Sequence, residues 1–250
     1  MIKVLGKSFS IVSAVVNRAP VAVPLADLAA LTGLNKTTCS RIVRDLLDAG
    51  YLTQVSRQSG FLPGPALLAL GMRAAESTPL VRTGLPIVHD LAEITGQMAS
   101  LVVLHEGRRC ILASRNCDAF MRYEPHAPIC PNTIDTSTGL VLLAHAPPSE
   151  QEKARRLMQG QDTPLLQALQ GRKTFEALMA KIRADEGIVY KGSVFPQQMA
   201  VGWPVYQNGN VVAAIGFFGR RNKDTKKWIQ QVIDHAATLS RNLSQITALG

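Results

Sequence analysis

Residues 25–52 read LADLAALTGLNKTTCSRIVRDLLDAGYL, and the folding of this stretch decides the architecture around it. Cys39, Ile42, Val43, Leu46 and Leu47 recur at i, i+3, i+4, i+7 and i+8, the stripe of an amphipathic helix. Asn35 stands just before that helix, where its side-chain oxygen can accept a backbone N–H that lacks a partner inside the helix. Gly50 ends it. Upstream, Pro24 opens a shorter helix with Leu25, Leu28 and Ala29 on its inner side, and Gly33 closes it. Residues 8–17 are read as a further helix, with Phe9, Val12, Val15 and Val16 on one face. Downstream, Tyr51–Val55 and Phe61–Leu62 form two short extended runs around the polar turn Ser56–Gly60. Three helices followed by a hairpin predict a winged helix-turn-helix over residues 1–63.

The outward side of the helix after Asn35 carries Lys36, Thr37, Thr38, Ser40, Arg41 and Arg44. A helix fits the DNA major groove, and side chains near its N-terminus reach base edges while Arg and Lys also bind phosphates. Asn35 and these six are therefore the candidate DNA-binding residues. Arg57, at the tip of the hairpin, is added as a minor-groove or phosphate contact. Residues 1–62 hold seven Lys and Arg against three Asp and Glu, so the cationic face belongs to a cationic domain. The whole chain has a formal net charge of +9, which favours an anionic partner.

Other classes are disfavoured. No run approaches the roughly 18 unbroken apolar residues of a membrane span. The opening MIKVLGKSFSIVSAVV has lysines before an apolar run but serines at helical spacing and no small-residue cleavage site. The expected location is the cytoplasm, with no membrane partner. Cys39, Cys110, Cys117 and Cys130 make no C-x-x-C pair and no zinc spacing, so reduced thiols, no metal and no cofactor are expected. The chain lacks a G-x-S-x-G elbow, a P-loop and a His-Glu metal motif, and its five histidines stand singly. No catalytic residue is assigned. A winged helix fused to an enzyme remains an alternative, with Cys117 or Cys130 as the thiols to watch.

Pro63-Gly64-Pro65 mark a boundary. Residues 64–78 predict a linker helix that is apolar nearly all round, which implies burial against a partner subunit or the next domain. From 79 to 250 the pattern is α+β. A helix is expected over about 80–95, then strands in MASLVVLHEG, RRCILASRNC and FMRYEP. Helices follow near 137–146, 149–158 and 172–186, then strands near 187–195, 199–206 and 211–218. Asn208-Gly209 signals a tight hairpin between the last two strands. A long helix from about Asp224 has Ile229, Val232, Ala236, Leu239, Leu243 and Ile246 on one seam. That seam suits either packing on the sheet or dimerisation.

Five segments in this order resemble the IclR family of bacterial regulators: 25–52 above, FLPGPALLALG (61–71), LPIVHDLAEITGQMASLVVLHEGRRCIL (85–112), DTSTGLVLLAHA (135–146), and IRADEGIVY (182–190) followed by AVGWPVYQNGNVVAAIGFFG (200–219). The resemblance implies a GAF-like second domain with an antiparallel sheet, which binds a small-molecule effector, often a carboxylate or aromatic acid. It implies a homodimer or dimer of dimers on a double-stranded DNA operator, the N-terminal domains and linker helices pairing two chains.

The resemblance also places the effector site. It falls on the helix start at Thr136, Ser137, Thr138 and Gly139, where unpaired N–H groups and the positive dipole end suit a carboxylate. Capping by a Thr or Ser is the other use of such residues. The remaining effector positions are Met199, Ala200, Gly216 and Phe218, and here the chain departs from the family. Ala200 replaces a frequent Cys, Lys191 and Gly192 a frequent acidic pair, Gln197 a Gly, and Gly216 and Phe218 two serines. The departures imply either a pocket for a less polar or aromatic acid, walled by Phe218, Met199, Met121 or Tyr123, or a second domain that no longer binds ligand.

Overall fold

The computed structural model describes residues 3–56, 58–118, 128–159, 172–191 and 197–248. The described chain divides into two compact units, one ending at Thr78 and one beginning at Pro79.

The first unit is built from α1 (Lys3–Val16), α2 (Leu25–Thr32), α3 (Lys36–Asp48), β1 (Leu52–Ser56), β2 (Gly60–Pro63) and α4 (Pro65–Ser77). Its core joins Ile11 and Val15 of α1, Leu28 and Ala29 of α2, and Cys39, Ile42 and Val43 of α3 to Val23, Leu52 and Phe61. Each large side chain fully buried in this way contributes about 1.5–3 kcal/mol of transfer free energy. The first helix differs from the sequence expectation. It begins at Lys3 rather than residue 8, and its buried positions are Ile11 and Val15, whereas Phe9 is 68% exposed. Val4 and Leu5 are exposed too, so one apolar side of α1 faces away from this domain's own core.

The end of α3 shows why Gly50 is needed. Gly50 has φ 73°, its N–H donates to Leu47 O, and the Tyr51 N–H donates to Leu46 O. This pair of bonds satisfies the last carbonyls of the helix through a left-handed residue. The chain then turns straight into β1. β1 and β2 pair antiparallel with Thr53 opposite Leu62 and Gln54 opposite Phe61. Val23 extends the pairing through two backbone hydrogen bonds with Phe61. The following helix, α4, has no buried residue, and Leu68, Leu70 and Met72 are exposed. Its all-round apolarity finds no cover within the described chain.

The second unit contains α5 (Pro79–Thr95), β3 (Met98–His105), β4 (Arg108–Asn116), β5 (Ile129–Cys130), α6 (Ser137–His145), α7 (Pro148–Leu157), α8 (Arg172–Ala184), β6 (Ile188–Lys191), β7 (Gln198–Gln207), β8 (Asn210–Arg220) and α9 (Thr225–Ala248). The strands form one antiparallel sheet in the order β5-β4-β3-β8-β7-β6. The expected strand at FMRYEP lies outside the described residues. At the β7–β8 turn Asn208 and Gly209 have φ of 52° and 78°, the two positive values that a type I′ hairpin requires.

Helices cover both faces of the sheet. On one side α5 and α9 bury Val88, Leu91, Val232, Ala236, Leu239 and Leu243 against strand residues that include Leu101, Val201, Ile215 and Phe217. The seam of α9 therefore lies on the sheet and is not left free for a second chain. On the other side α6, α7 and α8 pack on Val102 and Ala214. Residues Ser137 to Ala144 of α6 are all buried, as a helix that is apolar on every side must be. The β3–β4 turn is tied to α7. The Gly107 N–H donates to Glu150 Oε2 at 2.8 Å, and Lys153 Nζ reaches Glu106 Oε1 at 2.7 Å and Glu150 Oε1 at 2.9 Å.

Candidate functional site

The DNA-reading candidates share one surface of the first unit. Cys39, Ile42 and Val43 hold one side of α3 in the core, which turns Lys36, Thr37, Arg41 and Arg44 out to solvent. Thr38 and Ser40 are half-buried at the edge of that face. Among the described residues Arg41 and Arg44 form no ion pair, although Asp45 and Asp48 lie on the same helix. Both guanidinium groups therefore keep all their donors for an external partner. The Asn35 side chain is engaged: the Thr38 N–H donates to its Oδ1 at 2.8 Å. It caps α3, a contribution of about 1 kcal/mol, and so fixes the end of the helix that would meet bases. At the hairpin tip the Ser59 N–H donates to Ser56 Oγ at 2.8 Å. Arg57 lies outside the described residues.

The effector candidates divide between the two faces of the sheet. Ala213, Ile215 and Phe217 point to the α5/α9 side, whereas Ala214 points to the α6 side. Strand alternation puts Gly216 and Phe218 on Ala214's side. Ala200 pairs with Phe218 and Gly202 with Gly216, so Ala200, Gly216 and Phe218 share the α6 face. Gly202 brings β7 against the first turn of α6. A Cβ there would lie 2.7 Å from Ser137 C and 2.8 Å from Ser137 O. Ser137 and Thr138 thus pack on Gly202, whose strand neighbours on the same sheet face include Ala200, Gly216 and Phe218. Met199 is a correction. It is adjacent to Ala200 and so faces the opposite way, 1% exposed among the α5/α9 core residues. Met121 and Tyr123 lie outside the described residues.

Thr136 also has a structural duty. Its Oγ1 accepts the Gly139 N–H at 3.2 Å and donates to Thr133 O at 3.2 Å. That is the capping use of the residue. Ser137 and Thr138 remain. The two residues are 6% and 5% exposed; among the described residues neither hydroxyl forms a hydrogen bond, and neither oxygen is a fully buried atom left without a partner, so both stay open to solvent. The two hydroxyls at the positive end of α6, on the sheet face of the small residues Ala200 and Gly216 and of Phe218, can receive a carboxylate carried on an apolar body.

Burial pushes the Cys39, Cys110 and Cys130 thiols up, away from the thiolate that a nucleophile needs. Burial, helped by Arg183, lowers His145 and keeps its ring neutral. Among the described residues no group of His, Cys, Asp and Glu is placed to hold a metal ion, and no helix is long and apolar enough to cross a membrane.

Comparison with known proteins agrees with this geometry. Residues 5–56 match the IclR helix-turn-helix domain. The DNA-binding transcriptional repressor YiaJ of Escherichia coli (strain K12) is 31% identical over 74 residues, which span 30% of this chain and 26% of the repressor. The solved IclR transcriptional regulator of Alicyclobacillus acidocaldarius superposes with a TM-score of 0.79 at 21% identity, covering 97% of this chain and 99% of the other. An IclR homolog from Microbacterium hydrocarbonoxydans, solved in complex with 4-hydroxybenzoate, superposes with a TM-score of 0.76 at 19% identity, covering 96% and 98%. Residues 5–56 thus carry an IclR helix-turn-helix domain, and the chain shares its fold along nearly its whole length with solved IclR regulators.

Proposed function

We propose that this protein is a cytoplasmic transcriptional regulator that binds a DNA operator through α3 and whose binding is tuned by a weakly polar or aromatic organic acid seated at the start of α6. The observation that carries the first half is the unpaired Arg41 and Arg44 on the exposed side of a helix held by a capped turn. The second half rests on the Ser137 and Thr138 hydroxyls, solvent-open and free of hydrogen bonds among the described residues, at the end of α6 that packs on Gly202 of β7, the strand paired with Gly216 and Phe218. The complex of the Microbacterium homolog with 4-hydroxybenzoate supports an aromatic acid as the ligand class. The chain pairs with a second copy through the first unit, where the apolar side of α1 and all of α4 are uncovered. Two α3 helices then read two half-sites of a roughly palindromic operator. A ligand changes operator affinity only by favouring one arrangement of the pair over another.

A ligand screen by thermal shift tests the ligand class. Benzoate and 4-hydroxybenzoate are compared with pyruvate and glyoxylate, and the best ligand is carried into an operator-binding assay. At a concentration of about 100 Kd a ligand specific for the folded state adds about 2.7 kcal/mol, a rise of several degrees in Tm. Stabilisation by small keto acids alone overturns the aromatic pocket. If no acid shifts either Tm or operator affinity, the second domain does not sense such ligands.

A further inference from the structure

Residues 220–227 read RRNKDTKK, five cations and one carboxylate in eight positions. They lead into the first turn of α9, which contains no acidic residue. This is where physical chemistry opposes cations. The N-terminal end of a helix is its positive end, and a charge of the wrong sign there costs about 0.3–1 kcal/mol at a surface. The crowding of like charges adds to that cost. The carboxylate of Asp224, just before the helix, offsets part of it, but among the described residues Arg221, Lys223, Lys226 and Lys227 form no ion pair.

Arg221, Lys223 and Lys226 rim a cleft of about 850 Å³ whose apolar wall is Val189, Met199 and Ile229. That volume is within the range of small-molecule pockets, about 300–1,000 Å³. Among the described residues no carboxylate lines it. The cleft lies on the α9 side of the sheet, since Met199 and Ile229 pack with that helix, whereas the α6 site lies on the other side. A local conflict between sequence and electrostatics usually marks a function, and here an anion removes the conflict.

We propose that this cleft is a second ligand site, built for an organic anion of more than one negative charge on an apolar or aromatic body, with a phosphate monoester as the ligand class. Three cations around one mouth match a phosphate dianion better than a single carboxylate. Lysine binds phosphate as a point charge. The Val189, Met199 and Ile229 wall takes the apolar body, which inorganic phosphate lacks.

Calorimetric titration of the full chain with 1-naphthyl phosphate tests the proposal, with 1-naphthol and inorganic phosphate as the two halves of the probe. The expected result is binding of the ester at least about tenfold tighter than either half, weakened about tenfold or more in Lys223→Gln/Lys226→Gln. Both lysines are exposed, so the variant keeps its fold, which a thermal melt checks. Phe218→Ala, on the α6 face, is expected to leave the affinity unchanged. Three results overturn the proposal. One is equal affinity in the double-lysine variant. Another is loss of binding in Phe218→Ala alone, which places the probe beneath α6. The third is no binding of the ester together with weaker duplex DNA binding by the double-lysine variant, which makes the patch part of the nucleic-acid surface.

Discussion

Replacement of Arg41 or Arg44 by alanine separates reading from folding. Both side chains project from α3 into solvent and have no ion pair among the described residues. Their removal leaves no buried group unsatisfied and no cavity, so stability changes by no more than about 0.5 kcal/mol. The whole effect therefore falls on DNA. An arginine with a bidentate contact to a guanine supplies about 1–3 kcal/mol of discrimination, so its loss weakens the operator complex roughly 5- to 150-fold per half-site. An arginine on a phosphate behaves differently. It weakens all sequences alike and lowers the slope of log K against log salt by about 0.9 per contact. Fluorescence anisotropy distinguishes the two cases, using an operator selected from random duplexes and measured over a salt series beside a scrambled duplex. The position nearer the N-terminus of α3, Arg41, is expected to show the base-contact signature. Arg44, one turn further on, is expected to show the phosphate signature. If both variants melt like the parent and bind the operator with unchanged affinity and slope, α3 is not the reading helix.

Two further predictions concern the second unit. Gly202→Ala places a methyl 2.7–3.0 Å from backbone atoms of Ser137 and Thr138, which cannot swing aside as a side chain end would. The cost is about 1–3 kcal/mol of overpacking, seen as a lower Tm. Loss of any effector-induced Tm rise is expected with it, and an unchanged Tm would show that α6 does not rest on Gly202. For Glu150, the hydrogen bond from Lys153 and the Gly107 N–H hold its carboxyl below the usual carboxylate range, against the opposing effect of burial. Its contribution is present above the ordinary carboxylate pKa and fades as pH falls through the lowered one. The Tm of Glu150→Gln should therefore fall below that of the parent at neutral pH and converge with it in acid. A gap that persists at low pH refutes the charge-based account.

Much of the first unit was legible because its signals are local. The stripe from Cys39 to Leu47, the cap at Asn35 and the end at Gly50 each depend on residues within one or two turns. The start of α1 was not legible, because Val4, Leu5 and Phe9 do not serve the core of this chain. Burial in an element's own domain is what amphipathic spacing encodes. The pair β5 was missed for a related reason: two residues, Ile129 and Cys130, are held by pairing with β4 and carry no period of their own. In the second unit the hairpin at Asn208-Gly209 was legible from its turn chemistry. The effector list joined residues from both faces of the sheet, because grouping Met199 with Ala200 ignored the alternation of neighbours on a strand. The basic run 220–227 was visible in the sequence. Its meaning depends on a cleft that joins residues from three separate elements.

The alternation along β7 has a thermodynamic consequence. Ala200 and Gly202 form part of the floor beneath α6, and Met199 between them forms part of the wall of the cleft on the far side. One strand thus runs between the start of α6 and the cleft, and a displacement of its backbone reaches both. Linkage then works in both directions. If an acid under α6 alters the affinity of the far cleft by some factor, an anion in that cleft alters the affinity for the acid by the same factor. A regulator built this way needs no long relay to combine two chemical inputs, because a single peptide plane separates them.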